Sequence, residues 1–158
     1  MPFFTLKTSM LLSDGEKADI ISNLTRLTTK LFDTVAPDKI QVTIQNLDRA
    51  NFGRAGSSLV NQNFSYSSRF KNANYDESYF NKENGLEDLI TIELDIWEGF
   101  SIIQKNLLGE EINNYLVSAF NITGDNCLIL IRDMIPANWI QNGIAGNNPS
   151  FLDKSRTI

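Results

Sequence analysis

The chain has 158 residues, 42% of them hydrophobic and 10% aromatic, enough apolar matter for one compact core and too much for a disordered or fibrous class. Its net charge is −5 with Lys and Arg scattered singly, so it carries no basic footprint for a phosphate backbone, and nucleic acid is not an expected partner. His is absent and Cys127 is the only cysteine, which rules out the usual zinc sites, disulfides and Ser-His or Cys-His nucleophile pairs and leaves carboxylates, Lys, Tyr and the chain terminus for acid-base work.

No run of about 18 apolar residues occurs and Met1 to Leu12 lacks a secretory cleavage pattern, so the expectation is a cytoplasmic protein with no membrane partner. Neither a GxGxxG nor a GxxxxGK[ST] loop is present. The standard nucleotide cradles are therefore missing, and no cofactor or metal is expected.

In chain order, Pro2 to Thr8 (PFFTLKT) reads as a buried strand. Ser13 with Glu16 fits the capping box that opens a helix. Ile20, Leu24, Leu27, Leu31 and Phe32 then form its apolar face. Ile40 to Leu47 (IQVTIQNL) returns as a strand with Ile40, Val42 and Ile44 on one side and Gln41, Thr43 and Gln45 on the other, followed by the turn Asn51-Phe52-Gly53. Residues 57–88 are rich in Asn, Ser and Tyr, with Val60, Phe64, Tyr66 and Phe70 interspersed, and read as a long linker with a short strand or hairpin.

The same plan then recurs 88 positions later. Leu89 to Ile96 (LITIELDI) is a second strand, Ser101 with Gln104 a second capping box, and Leu108, Ile112, Tyr115, Ala119 and Phe120 a second apolar face. Cys127 to Met134 (CLILIRDM) is the second return strand, now at an offset of 87, and Asn138-Trp139-Ile140 matches the first turn. The boundaries are a first β-α-β unit over 1–56, the linker over 57–88, a second unit over 89–146 and a C-terminal tail over 147–158. A two-stranded unit cannot bury itself, so the copies are expected to join as one α+β domain, a four-stranded mixed sheet with two helices on one face. The uncovered face then requires a partner. A monomeric ferredoxin-like sandwich is the alternative arrangement of two such copies.

Pro2 directly after the initiator Met, the strand, capped helix and strand, and the turn Asn51-Phe52-Gly53-Arg54-Ala55-Gly56 together resemble the tautomerase superfamily, founded on 4-oxalocrotonate tautomerase. The second unit resembles the C-terminal half of fused members, malonate semialdehyde decarboxylase and cis-3-chloroacrylic acid dehalogenase, most visibly at Arg132-Asp133-Met134 and Ala137-Asn138-Trp139. The resemblance implies a homotrimer in which Pro2, freed by removal of Met1, is the general acid and base for a small 2-oxo or enol acid. Tautomerisation is the expected chemistry, with decarboxylation or hydration as variants. A terminal amine starts near a pKa of roughly 8 and burial lowers it toward the working range of a base. The second copy places Ile90, in mid-chain, where the first has Pro2, so one site per chain is implied.

By the same resemblance Asp133 matches the acidic residue that positions water, and Asp38 matches an aspartate ahead of the return strand. Phe52, Trp139 and Phe151 match an apolar wall that desolvates the amine. The arginines that family members turn on substrate carboxylates are replaced here by Leu12, Gln41 and the run Ile96-Trp97-Glu98. Arg54, Arg132 and Lys7 are the candidates for the missing charge. A trimeric binding protein that kept the fold and lost turnover is the competing expectation, favoured by those replacements. Cys127, at the start of a buried strand with no partner, is expected to be inert.

Overall fold

The computed structural model describes residues 1–54, 57–60 and 87–155. Ala55, Gly56 and most of the expected linker, with Phe64, Tyr66 and Phe70, lie outside them. Strands β1 (Phe3–Thr8), β2 (Gln41–Asn46), β5 (Ile90–Trp97) and β6 (Cys127–Met134) form one sheet in the order β2-β1-β5-β6. Two short hairpins follow the return strands, β3 (Gly53–Arg54) with β4 (Ser57–Ser58) and β7 (Ile140–Gln141) with β8 (Ile144–Ala145). The ladders β1/β2 and β5/β6 are parallel, each bridged by its own crossover helix, α1 (Asp14–Leu31) or α2 (Ile102–Phe120). The copies meet through the antiparallel pair β1/β5, with Phe3 opposite Asp95 and Thr8 opposite Ile90. The sheet is mixed for this reason, and the two copies point in opposite directions across its centre.

Both helices begin where local chemistry dictates. The Ser13 hydroxyl accepts from the Glu16 N–H at 3.3 Å while the Glu16 carboxylate accepts from the Ser13 N–H at 2.8 Å. Ser101 and Gln104 repeat the pattern at 3.2 and 3.1 Å. Each box satisfies donors that the first turn leaves orphaned.

Strand alternation sends Phe4 and Leu6 of β1 and Ile90, Ile92, Leu94 and Ile96 of β5 to one side of the sheet. There they pack with Ile20 and Leu24 of α1, Phe32, and Leu108, Ile112 and Leu116 of α2. Full burial of each such side chain is worth about 1.5–3 kcal/mol, so this shared core is what fuses two units that are unstable alone. One expectation is corrected here. Ala119 is exposed and Leu116 occupies the buried position, with Tyr115 half-buried beside it.

The opposite face carries Thr5, Lys7, Gln41, Thr43, Gln45, Thr91, Glu93, Asp95, Leu128, Leu130 and Arg132 by the same alternation. Across it the Lys7 ammonium pairs with Glu93 at 2.5 Å, and Arg132 reaches Glu93 at 3.0 Å and Asp95 at 2.7 Å. Lys7 and then Arg132 hold the Glu93 carboxyl below the usual carboxylate range. Leu128 and Leu130 lie exposed on this face beside the charges.

The duplication extends into the turns. A 3-10 turn over Arg49–Asn51 ends at Phe52, and one over Pro136–Asn138 ends at Trp139. The Phe52 carbonyl accepts from the Leu59 N–H and the Trp139 carbonyl from the Gly146 N–H, both at 2.8 Å, closing equivalent hairpins. A short C-terminal helix, α3 (Phe151–Lys154), packs back toward the start of the chain.

Candidate active site

The chain begins inside the molecule. Met1 is 7% exposed, Pro2 is buried, and the Pro2 carbonyl accepts the Gln41 N–H at 3.2 Å as the first rung of the β1/β2 ladder. Proline suits this position because it has no N–H to contribute to the ladder. Burial lowers the terminal amine of Met1 from its ordinary 8.0 to about 5, the direction expected when a cation loses solvent without gaining a partner.

Around this start lies a cavity of about 270 Å³ lined by Met1, the segment Thr34-Val35-Ala36, Lys39, Trp97, Glu98, Phe100 and Leu152. Each element has a reason to be there. Lys39 ends the 3-10 turn Pro37–Lys39 that feeds β2, whose first residue pairs with Phe3. Trp97 and Glu98 follow from β5, which runs antiparallel to β1 and so finishes beside its beginning. Phe100 packs on Phe32 at 4.4 Å between ring centroids, holding the end of α1 against the turn into α2. Leu152 is brought in by α3, where Phe151 is buried and meets the Trp97 ring at 5.4 Å.

Lys39 is 4% exposed, and among the described residues it is the only buried charged side chain. Its Nζ donates to the Ser155 hydroxyl at 3.1 Å and lies 3.7 Å from the Asp38 carboxylate, beyond hydrogen-bonding distance. The Trp97 indole N–H is buried without an acceptor. Glu98 is exposed at the cavity wall and has no hydrogen bond or ion pair to its side chain among the described residues. The arrangement joins a desolvated amine, one buried ammonium, aromatic walls and an open carboxylate. Chemically it can move a proton on a small acid held away from water.

Of the residues singled out from sequence, the structure brings Pro2 and Asp38 to this end, with Phe151 supporting Trp97 from behind. The others lie elsewhere in the single chain. Asp133 pairs with Lys105 of α2 at 2.5 Å. Arg132 belongs to the charged sheet face, with Lys7 nearby through Glu93. Trp139 sits half-buried at the β7/β8 hairpin. Phe52 and Arg54 line a second cavity of about 530 Å³ at the opposite end of the sheet, with Leu89, Ile90, Asp125, Asn126 and Cys127. There the Arg54 guanidinium is tied to the Asp125 carboxylate and donates to the Asp125 carbonyl at 2.7 Å and to Asn126 at 3.1 Å. Every candidate cation named from sequence is thus already paired. Lys39 is not among the cations that the sequence singles out, although it stands between Asp38 and a strand whose polar residues alternate outward. Leu12, where an arginine was missed, packs against the core.

No protein-family model and no curated protein matches the sequence. Solved structures do. A native fused 4-OT aligns with a TM-score of 0.71 at 16% identity, over 94% of this chain and 98% of that one. A Pt0534 structure inactivated by 2-oxo-3-pentynoate gives 0.69 at 14%, over 93% and 98%. A member of the cis-3-chloroacrylic acid dehalogenase family gives 0.68 at 15%, over 96% and 88%. Further fused 4-OT structures of similar overlap are described as trimers.

Proposed function

Given the fused 4-OT fold, we propose that this chain is a tautomerase-superfamily enzyme in which Pro2, after removal of Met1, transfers a proton between oxygen and carbon of a small 2-oxo or enol acid. The observation that carries the reading is the burial of the chain start in a cavity that also holds Lys39. A secondary amine there is desolvated, so its pKa falls and a neutral base is populated at working pH. Once it takes a proton it becomes the acid for the return step. The Lys39 ammonium holds the substrate carboxylate, while Phe100, Trp97 and Leu152 keep water out. Loss of the Met1 side chain enlarges the cavity toward the size of ordinary small-molecule sites.

Assembly as a homotrimer is part of the proposal. It is supported by the trimers described for similarly folded chains and by the sheet face that no element among the described residues covers, where Leu128 and Leu130 stand exposed. Light scattering on the purified protein should give about three times the 17.8 kDa chain mass.

Intact-mass measurement comes first and should show Met1 absent. Ketonisation of phenylenolpyruvate and of 2-hydroxymuconate is then compared between the native chain and Pro2→Ala, in which a primary amine replaces the secondary one, and slower turnover is expected in the variant. 2-Oxo-3-pentynoate, the inactivator in the Pt0534 structure, should add once, at Pro2. Retained Met1, or equal rates in the two proteins, removes the catalytic assignment and leaves the trimeric binding protein, the reading that Leu12, Gln41 and Glu98 favour.

A further inference from the structure

The cavity at the chain start has a charge polarity. Lys39 is its buried end, 4% exposed, with Nζ supplied by one hydroxyl at 3.1 Å and one carboxylate too distant to hydrogen-bond. An ammonium has three donors, so the Lys39 head retains capacity for one more anionic partner. At the exposed end stands Glu98, a carboxylate with no partner among the described residues. A ligand lying between them meets a cation first and an anion last.

We propose that this cavity selects monocarboxylates: the acid head seats on Lys39, and the far end, passing Glu98, is neutral or cationic. Glu98 is the specificity-determining residue. A second carboxylate at the far end would be placed against a like charge, and Lys39, at the opposite end, is the only cationic side chain among the residues that line the cavity. Arg54 is held by Asp125, Arg132 by Asp95 and Glu93, Lys7 by Glu93, and Lys105 by Asp133. The inference rests on the reading that the cavity receives the substrate, and it adds which substrates it refuses.

The test uses two acids of equal length, 2-oxohexanoate and 2-oxoadipate, which differ only in a terminal carboxylate. Binding to the full-length protein is measured by calorimetry. The native chain should bind 2-oxohexanoate more tightly, by about fivefold for a like-charge contact in a solvated rim. Glu98→Gln should erase the difference, and Glu98→Arg should reverse it. Lys39→Gln should weaken both acids together, by about tenfold or more for a lost charged hydrogen bond, with Lys39→Arg retaining binding. Glu98 is exposed, so its variants fold, and they carry the decision even where Lys39→Gln does not. Equal or tighter binding of 2-oxoadipate by the native chain overturns the proposal, as does selectivity unchanged in Glu98→Arg. The same titrations on Pro2→Ala separate the two readings. Selectivity there without turnover in the native chain supports this inference and sinks the catalytic one, and turnover without selectivity does the reverse.

Discussion

Gly146 offers the sharpest link between packing and the site. It closes the β7/β8 hairpin, and a Cβ built on it would overlap Cζ2 of Trp97 and lie 3.0 Å from its Cη2 and 2.7 Å from the Pro136 carbonyl oxygen. Neither neighbour gives way easily. Pro136 presents backbone, and the Trp97 ring is backed by Phe151 at 5.4 Å. Gly146→Ala therefore forces a shift typical of overpacking, costing about 1–3 kcal/mol. For a chain of this length that lowers the melting temperature by about 2–12 °C. The displaced ring is a cavity wall, so affinity for 2-oxohexanoate should fall with stability. Gly109→Ala is the matched control. It lies within α2 with nothing inside 4 Å of the new carbon, and relief of glycine's helix penalty raises stability by up to about 1 kcal/mol. Calorimetric melts of both variants read the two signs directly. A Gly146→Ala protein as stable as Gly109→Ala, or one that melts lower but binds the keto acid unchanged, would refute the contact between the hairpin and the site.

Three further outcomes are expected. Ser13→Ala and Ser101→Ala should each lose about 1 kcal/mol in urea unfolding, and unchanged midpoints would deny the caps a role. In protein that retains Met1, the folded amine titrates near 5 against 8.0 when exposed. As pH falls from 8 the unfolded chain takes up a proton that the folded chain refuses, so stability drops down to about pH 5 and then levels; an N-acetylated counterpart showing the same slope would contradict this. Burial pushes the Cys127 thiol up to about 11, so iodoacetamide at pH 8 should modify native protein far more slowly than denatured protein, and equal rates would show the thiol to be open.

The fold was legible because its signals are local. A hydroxyl three residues before a carboxylate or amide marks a helix start whatever surrounds it, and both capping boxes form as read. Alternation in LITIELDI assigns one face of β5 without knowledge of its neighbours, and the recurrence at 88 positions supplies the topology. The face of α2 was read less well because apolar residues surround it, with Ile102, Ile103 and Leu107 exposed. Periodicity there allows Ala119, whereas packing selects Leu116. Of the candidate cavity, the sequence pointed to the chain start at Pro2 and, near it, to Asp38 and Phe151. Burial of Lys39 depends on Ser155, 116 residues away, and the pairing of Arg54 with Asp125 or Arg132 with Asp95 depends on strand register. A lysine beside an aspartate in a turn reads as solvated until the chain end is seen to fold over it.

The opposed orientation of the two copies gives the molecule a second, altered version of its first cavity. At the far end, Leu89 and Ile90 stand where Met1 and Pro2 stand, and buried Asn126 stands where Lys39 does. Ile90 lies in mid-chain, so no terminal amine stands at that end. A split version made of two polypeptides, the second opening at residue 90 with proline in place of isoleucine, would restore a free terminus inside that larger chamber. Such a pair would report whether an uncapped nitrogen suffices for turnover, or whether the loss of the lysine has retired that half for good.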